Sequence, residues 1–90
     1  MSASNYFKEV AQDLVYKELQ RQELKWGKQD HNEPDWFVIL GEEVGEVARA
    51  IFECHGKELN ENYREELIQV AAVCMAALEN YDRKTDVNQQ

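Results

Sequence analysis

The sequence predicts an all-α chain, and three observations carry that reading. No stretch alternates apolar and polar residues as a half-buried strand would. Glycine and proline are scarce, four and one among 90 residues. Apolar residues recur instead at spacings of three and four, the period of a helix face. Thirteen of the 18 acidic residues are glutamate, the acid that helices tolerate best.

The punctuation divides the chain into three helices within one domain spanning residues 1–90. The first is expected over about 5–26, ending at Gly27, with a short apolar stripe of Phe7, Val10, Ala11 and Leu14. A polar connector from Lys28 to Glu33 leads to Pro34, which suits the first turn of a helix. The second helix is expected over 34–54, stopping near Gly56, with Trp36, Phe37, Leu40, Val44, Val47, Ala48 and Ile51 on its apolar side. After a short link, Asn62 with Glu65 three residues on resembles a capping box and opens the third helix, 62–83. Residues 84–90 read as a frayed polar tail. Between Val70 and Leu78 the third helix is apolar around its whole circumference. Two helices of one short chain can hardly cover such a segment, so the pattern predicts an antiparallel bundle completed by self-association, as a homodimer or homotetramer.

The charge narrows the function. Ten basic residues against 18 acidic ones leave a net charge of −8, which argues against binding nucleic acid polymers through their phosphates. The first residues lack the basic and apolar regions of a signal peptide. The longest apolar run, Val70–Leu78, is far short of the ~20 residues that span a bilayer. Cys54 and Cys74 form no CxxC spacing, and His55 completes no zinc pattern. They read as buried free thiols of a cytoplasmic protein without a membrane partner.

An acidic chain can still hold metal ions. Glu43 and Glu46 lie three residues apart, hence about 60° apart on one helix face with a rise of about 4.5 Å. Glu66 and Gln69 repeat that spacing on the third helix. Adjacent antiparallel helices would present three carboxylates and an amide oxygen to a shared space, a donor set suited to Mg²⁺ or Mn²⁺. The alternative is a solvated glutamate face. Against it, like charges at this spacing repel, no lysine interleaves them, and Val44, Val47, Leu67 and Val70 read as core edge. Gly41 and Gly45 clear one face of the second helix for a neighbouring helix or a ligand.

Glu43-x-x-Glu46 followed by Glu66-x-x-Gln69 resembles the ExxE…ExxD signature of the MazG-like all-α nucleotide pyrophosphohydrolases. The words Leu40-Gly41-Glu42-Glu43-Val44-Gly45-Glu46-Val47 and Tyr63–Val73, and the segment from Lys25 to His31 with Trp36 after it, are similar to short stand-alone members from bacteria and phages. The resemblance covers about Arg21 to Glu79. It implies the fold of the all-α NTP pyrophosphatases and Mg²⁺-dependent hydrolysis of a nucleoside triphosphate to the monophosphate and pyrophosphate, for pool control or housecleaning. It makes Glu43, Glu46 and Glu66 metal ligands and catalytic residues. Gln69 departs from the pattern, since an amide brings no charge and cannot act as a general base; Glu65 or Glu42 could compensate. A non-catalytic helical module for oligomerisation or nucleotide binding is the competing reading.

A triphosphate calls for cations. Lys17, Arg21, Lys25 and Lys28 follow one another at spacings of four, four and three. The stripe is either solvated, with pairs such as Asp13–Lys17, or aimed at phosphates through Arg21, Lys25 or Lys28. Trp26 and Trp36 flank the connector and are candidates to stack on a base, Trp36 being better suited to packing. His31 is a connector hydrogen-bonder or a ligand contact, and Asn80, Asp82 and Arg83 follow the apolar run within reach of a nucleotide.

Overall fold

Three helices make up the computed structural model, which describes residues 3–54 and 61–86. They are α1 (Ala3–Trp26), α2 (Glu33–Cys54) and α3 (Glu61–Thr85). Among the described residues there is no strand, and no helix is long and apolar enough to cross a membrane.

The end of α1, the start of α2 and the end of α3 have local causes. Gly27 closes α1 with a φ of 76°, a left-handed conformation that an L side chain resists. Its N–H donates to the Glu23 carbonyl at 2.8 Å, completing the last turn. Asn32 caps α2: its Oδ1 accepts from the Asp35 N–H at 2.9 Å, and Pro34 occupies the first turn, where no intrahelical donor is needed. Helix α3 contains Asn62 and, one residue before it, Glu61. The expected stop near Gly56 and residues 57–60 of the expected link, Lys57 to Glu61, fall outside the described residues, while Glu61 belongs to α3. The tail begins later than expected. Helix α3 continues through Lys84 to Thr85, whose Oγ1 donates to the Tyr81 carbonyl at 2.9 Å, and the Asp86 N–H reaches the Asp82 carbonyl at 2.9 Å.

Helix α3 is the shared element. It packs against both α1 and α2, while α1 and α2 barely meet. Trp36 pairs with Asn80, and Glu43 senses Glu66 further back along α3, so α2 and α3 run antiparallel. On the other side Leu14 lines a cavity with Ile68, and Leu19 lines one with Ala76, so α1 runs parallel to α3. The result is an open arrangement of 51 × 36 × 20 Å. Its radius of gyration is 15.4 Å, against roughly 12 Å for a compact chain of this length.

The core is correspondingly small: among the described residues Leu19, Trp36, Ala50, Cys54, Ala72 and Val73 are the buried apolar ones, joined by one buried polar side chain, Asn80. The apolar side of α2 divides in two. Trp36, Ala50 and Cys54 turn inward, flanked by half-buried Leu40 and Val47; Phe37, Val44, Ala48 and Ile51 face out. On α3, Ala72 and Val73 are buried while Cys74, Met75 and Leu78 are exposed. Cys54 and Cys74 are both free thiols. Only Cys54 is buried; Cys74 is exposed and lines a cavity with Trp36, Phe37 and Leu40 of α2. Gly41 and Gly45 are exposed, and a methyl group at either would meet nothing within 4 Å. Among the described residues no helix of the same chain uses the space they clear.

Candidate functional site

Two polar groups sit between the helices, at opposite ends of the α2–α3 interface. The first is acidic. Glu43 lies on the inward side of α2 and Glu66 on the α2-facing side of α3, both half-buried, with Glu46 exposed beside them. The Oε2 atoms of Glu43 and Glu66 are each buried without a hydrogen-bond partner. Both carboxyls are pushed above the usual glutamate range. For Glu43 the first cause is burial, followed by the charges of Glu66, Glu46, Glu18 and Glu42. For Glu66 it is again burial, then Glu46 and Glu65. A buried anion without a donor is costly, and these two face further anions instead of cations.

The chemistry of this donor set fits a hard divalent cation, which would supply the missing partner to both oxygens. In ionised form the carboxylates repel one another. Among the described residues no group of three or more Asp, Glu, His or Cys side chains is drawn together closely enough to hold a metal ion. Glu43 and Glu66 are the two that aim unpaired atoms inward.

Glu18 of α1 was missed by sequence reasoning. It takes part in raising Glu43 and also lines a cavity of about 420 Å³ between α1 and α3 with Arg21, Glu65 and Gln69. Gln69 is thus grouped with α1 side chains on the opposite flank of α3. The carboxylate of Glu18 is itself held: Arg21 donates from Nε to Oε1 at 2.9 Å and from Nη2 to Oε2 at 2.7 Å, and Gln22 donates to Oε2 at 3.0 Å. That fork holds Glu18 below the usual glutamate range, opposed by partial burial. Arg21 is the predicted cation that the fold sets beside the acids.

The second polar group is the Asn80 hub, from which α3 holds the connector. Asn80 Oδ1 accepts from the His31 backbone N–H at 3.1 Å and from Trp36 Nε1 at 2.7 Å. Its amide donates to Asp30 Oδ1 at 3.0 Å. Lys84 donates to the His31 carbonyl at 2.6 Å and stands 3.4 Å from Asp30. Arg83 donates to the Gln29 carbonyl at 3.1 Å. The His31 ring lies edge-on to Trp36 with centroids 4.9 Å apart, and its Nε2 meets Gln29 Oε1 at 3.1 Å. Asp30 sits below the usual aspartate range, first through Asn80 and then through Lys84.

The other predicted ligand contacts are distributed around this second end. Lys28 and Arg83 both stand 3.4 Å from Glu79 Oε1. Lys25 lies 4.9 Å over the ring of Trp26, which is exposed. Lys17, by contrast, pairs with Asp13 at 3.0 Å and lines the α1–α3 cavity with Glu18 and Arg21. On α3, Arg83 follows Glu66 by 17 residues, roughly 25 Å along the axis. Within one chain, therefore, Arg21 accompanies the acids, while Lys28, His31 and Arg83 surround the connector. A cavity of about 220 Å³ opens beside His31, Trp36, Phe37, Asn80, Tyr81 and Lys84.

Compared with family models, with curated proteins and with solved structures, the chain has no match in any of the three.

Proposed function

We propose that the chain is a Mg²⁺-dependent nucleoside triphosphate pyrophosphohydrolase of the MazG-like type, releasing pyrophosphate and a nucleoside monophosphate. The observation that supports this most is the pair of buried, unpartnered oxygens on Glu43 and Glu66. Structural carboxylates in a helix interface are expected to find donors; these two stand among Glu18, Glu46 and Glu65. In this reading Glu43 and Glu66 would hold Mg²⁺, or Mn²⁺ in its place, with Glu46 turning in from its exposed position to complete the set. The bound cation supplies charge neutralisation at the phosphates and a water of lowered pKa.

The chain's own residues position the substrate. Arg21 meets phosphate oxygens by loosening its fork on Glu18, which then turns its carboxylate toward Glu43. Gln69 offers an amide oxygen and no charge. Lys25, Trp26, Lys28, His31 and Arg83 are the remaining candidates for base and phosphate contacts. The protein acts in the cytoplasm as a homodimer or homotetramer, and its charge keeps nucleic acid polymers from competing with single nucleotides.

Gln69 favours a second reading, a helical nucleotide-binding or oligomerisation module without turnover, since an amide stands where the signature has a carboxylate. A pyrophosphate-release assay over a nucleotide panel with Mg²⁺ and Mn²⁺ separates the two. The enzyme reading expects turnover by the wild type and its loss in Glu43→Gln and Glu66→Gln. Turnover that is absent in the wild type and restored by Gln69→Asp would establish the module. Turnover unchanged in Glu43→Gln would refute the assignment of the ligands.

A further inference from the structure

Helix α1 brings a further carboxylate to the acidic end of the α2–α3 interface. Glu66 and Gln69 lie three residues apart on α3 and are neighbours on its surface. The Oε2 of Glu66, like that of Glu43, is buried without a partner. Gln69 lines the cavity of about 420 Å³ between α1 and α3, together with Glu18 and Arg21. Glu43 senses the charge of Glu18 although α1 and α2 barely meet. Glu42 and Glu65, also at this end, are exposed, whereas the Glu18 side chain is only 15% exposed. An oxygen site for a divalent cation tightens with each carboxylate it gains, and Gln69 brings none.

We infer that Glu18 is the fourth carboxylate of the cation site, supplying from α1 the charge that Gln69 lacks, with Arg21 as its latch. The inference rests on the Mg²⁺ site proposed above and extends that site to the third helix. The two oxygens without donors lie on α2 and α3. A ligand from α1 therefore joins all three helices at one cation, which the contacts of α1 with α2 do not do by themselves.

The fork that holds Glu18 is of a kind that opens. Arg21 and Gln22 fill three of its acceptor sites, of about four on a carboxylate. While they do so, Glu18 has little left for a cation. These three hydrogen bonds come from α1 itself, so they tie no helix to another. Arg21 is 57% exposed, and an exposed pair at this spacing adds little to stability. Its guanidinium offers the same two-pronged geometry to phosphate oxygens as to a carboxylate. Exchange of one anion for the other frees Glu18 at the moment phosphates arrive. By linkage, whatever draws Arg21 away tightens the cation, and the cation loosens Arg21.

Titration of the full chain with Mn²⁺ alone, the free ion being read by electron paramagnetic resonance, tests the inference without nucleotide or turnover. Glu18→Gln is expected to weaken Mn²⁺ binding about tenfold with helical circular dichroism unchanged. Adding Gln69→Asp recovers most of that loss, because the charge returns from α3. Arg21→Gln opens the latch and tightens Mn²⁺ severalfold, and does so less when Glu18 is already Gln. Affinity unchanged in Glu18→Gln but abolished in Glu43→Gln overturns the inference and leaves the hydrolysis reading standing. A wild type that binds no Mn²⁺ overturns both. A loss in Glu18→Gln that Gln69→Asp does not recover marks a purely structural fork and also overturns the inference. Equal tightening by Arg21→Gln in both backgrounds reflects removal of a cation alone and overturns the latch.

Discussion

The two ends of the α2–α3 interface handle polar groups in opposite ways. At the connector end, Asn80 is 1% exposed, and its amide both accepts and donates to groups 44 to 50 residues away in sequence. At the acidic end, two carboxylate oxygens are buried with no donor and with anions for company. A satisfied network holds a fold together; an unsatisfied one opposes it and persists where something other than stability requires it. The difference marks the hub as architecture and supports the ligand chemistry proposed for the acids.

Substitutions at the two ends should therefore move stability in opposite directions. The largest effect is expected for Asn80→Leu, which strips the buried Trp36 Nε1 and the His31 N–H of their acceptor. Each orphaned donor costs about 1–3 kcal/mol, so thermal unfolding followed by circular dichroism should fall by roughly 10 °C or more. A midpoint within a degree of wild type would sink the structural role of the hub. Trp36→Phe keeps an aromatic side chain but removes the indole donor with part of the ring volume; the loss should be about 1 kcal/mol or somewhat more, and smaller than for Asn80→Leu.

Glu66→Gln should instead stabilise at pH 7, by ~0.2–0.5 kcal/mol, the size of a relieved like-charge pair, while abolishing turnover. A lowered midpoint would mean that Glu66 has a partner the geometry does not reveal. The smallest effect is the pH profile of the wild type. Glu43 and Glu66 have raised values in the fold, so their contribution is fully present below the ordinary glutamate value of 4.5 and is lost as pH rises through the raised ones. Glu18 and Asp30 are lowered, so theirs is present above their ordinary values and lost as pH falls through the lowered ones. Unfolding midpoints should rise modestly on acidification from pH 7 toward 5 and decline below 4. Glu43→Gln/Glu66→Gln should flatten the first limb and keep the second.

Much of the fold was legible because its signals are local. Gly27 and Pro34 mark helix ends through their own backbone chemistry, and the 3/4 spacing of α2 needs no knowledge of its neighbours. Which of the two apolar sides of α2 turns inward was not legible. Trp36, Leu40 and Val47 share their period with Phe37, Val44 and Ile51, and only the packing of α3 distinguishes the sets. The acids at Glu43, Glu46 and Glu66 could be nominated from spacing alone. Glu18 could not, because its fork with Arg21 three residues on reads as an ordinary surface pair, and its closeness to Glu43 exists only in three dimensions. Asn80 was nominated as a nucleotide contact, and its role as a buried hub was hidden for the same reason: its partners sit in the connector and the first turn of α2. Cys74 was misread as buried because nothing in an all-apolar segment says which of its residues stays exposed.

The unequal placement of the two tryptophans has an optical consequence. Trp36 is 8% exposed and hydrogen-bonded through its indole, whereas Trp26 is 67% exposed at the end of α1. The chain therefore emits from two distinct environments, a blue-shifted one seated in the hub and a red-shifted one in contact with water. Iodide should quench the second and spare the first. Loss of the blue component would report unfolding of the hub, while the red component remains free to report whatever approaches the α1 terminus.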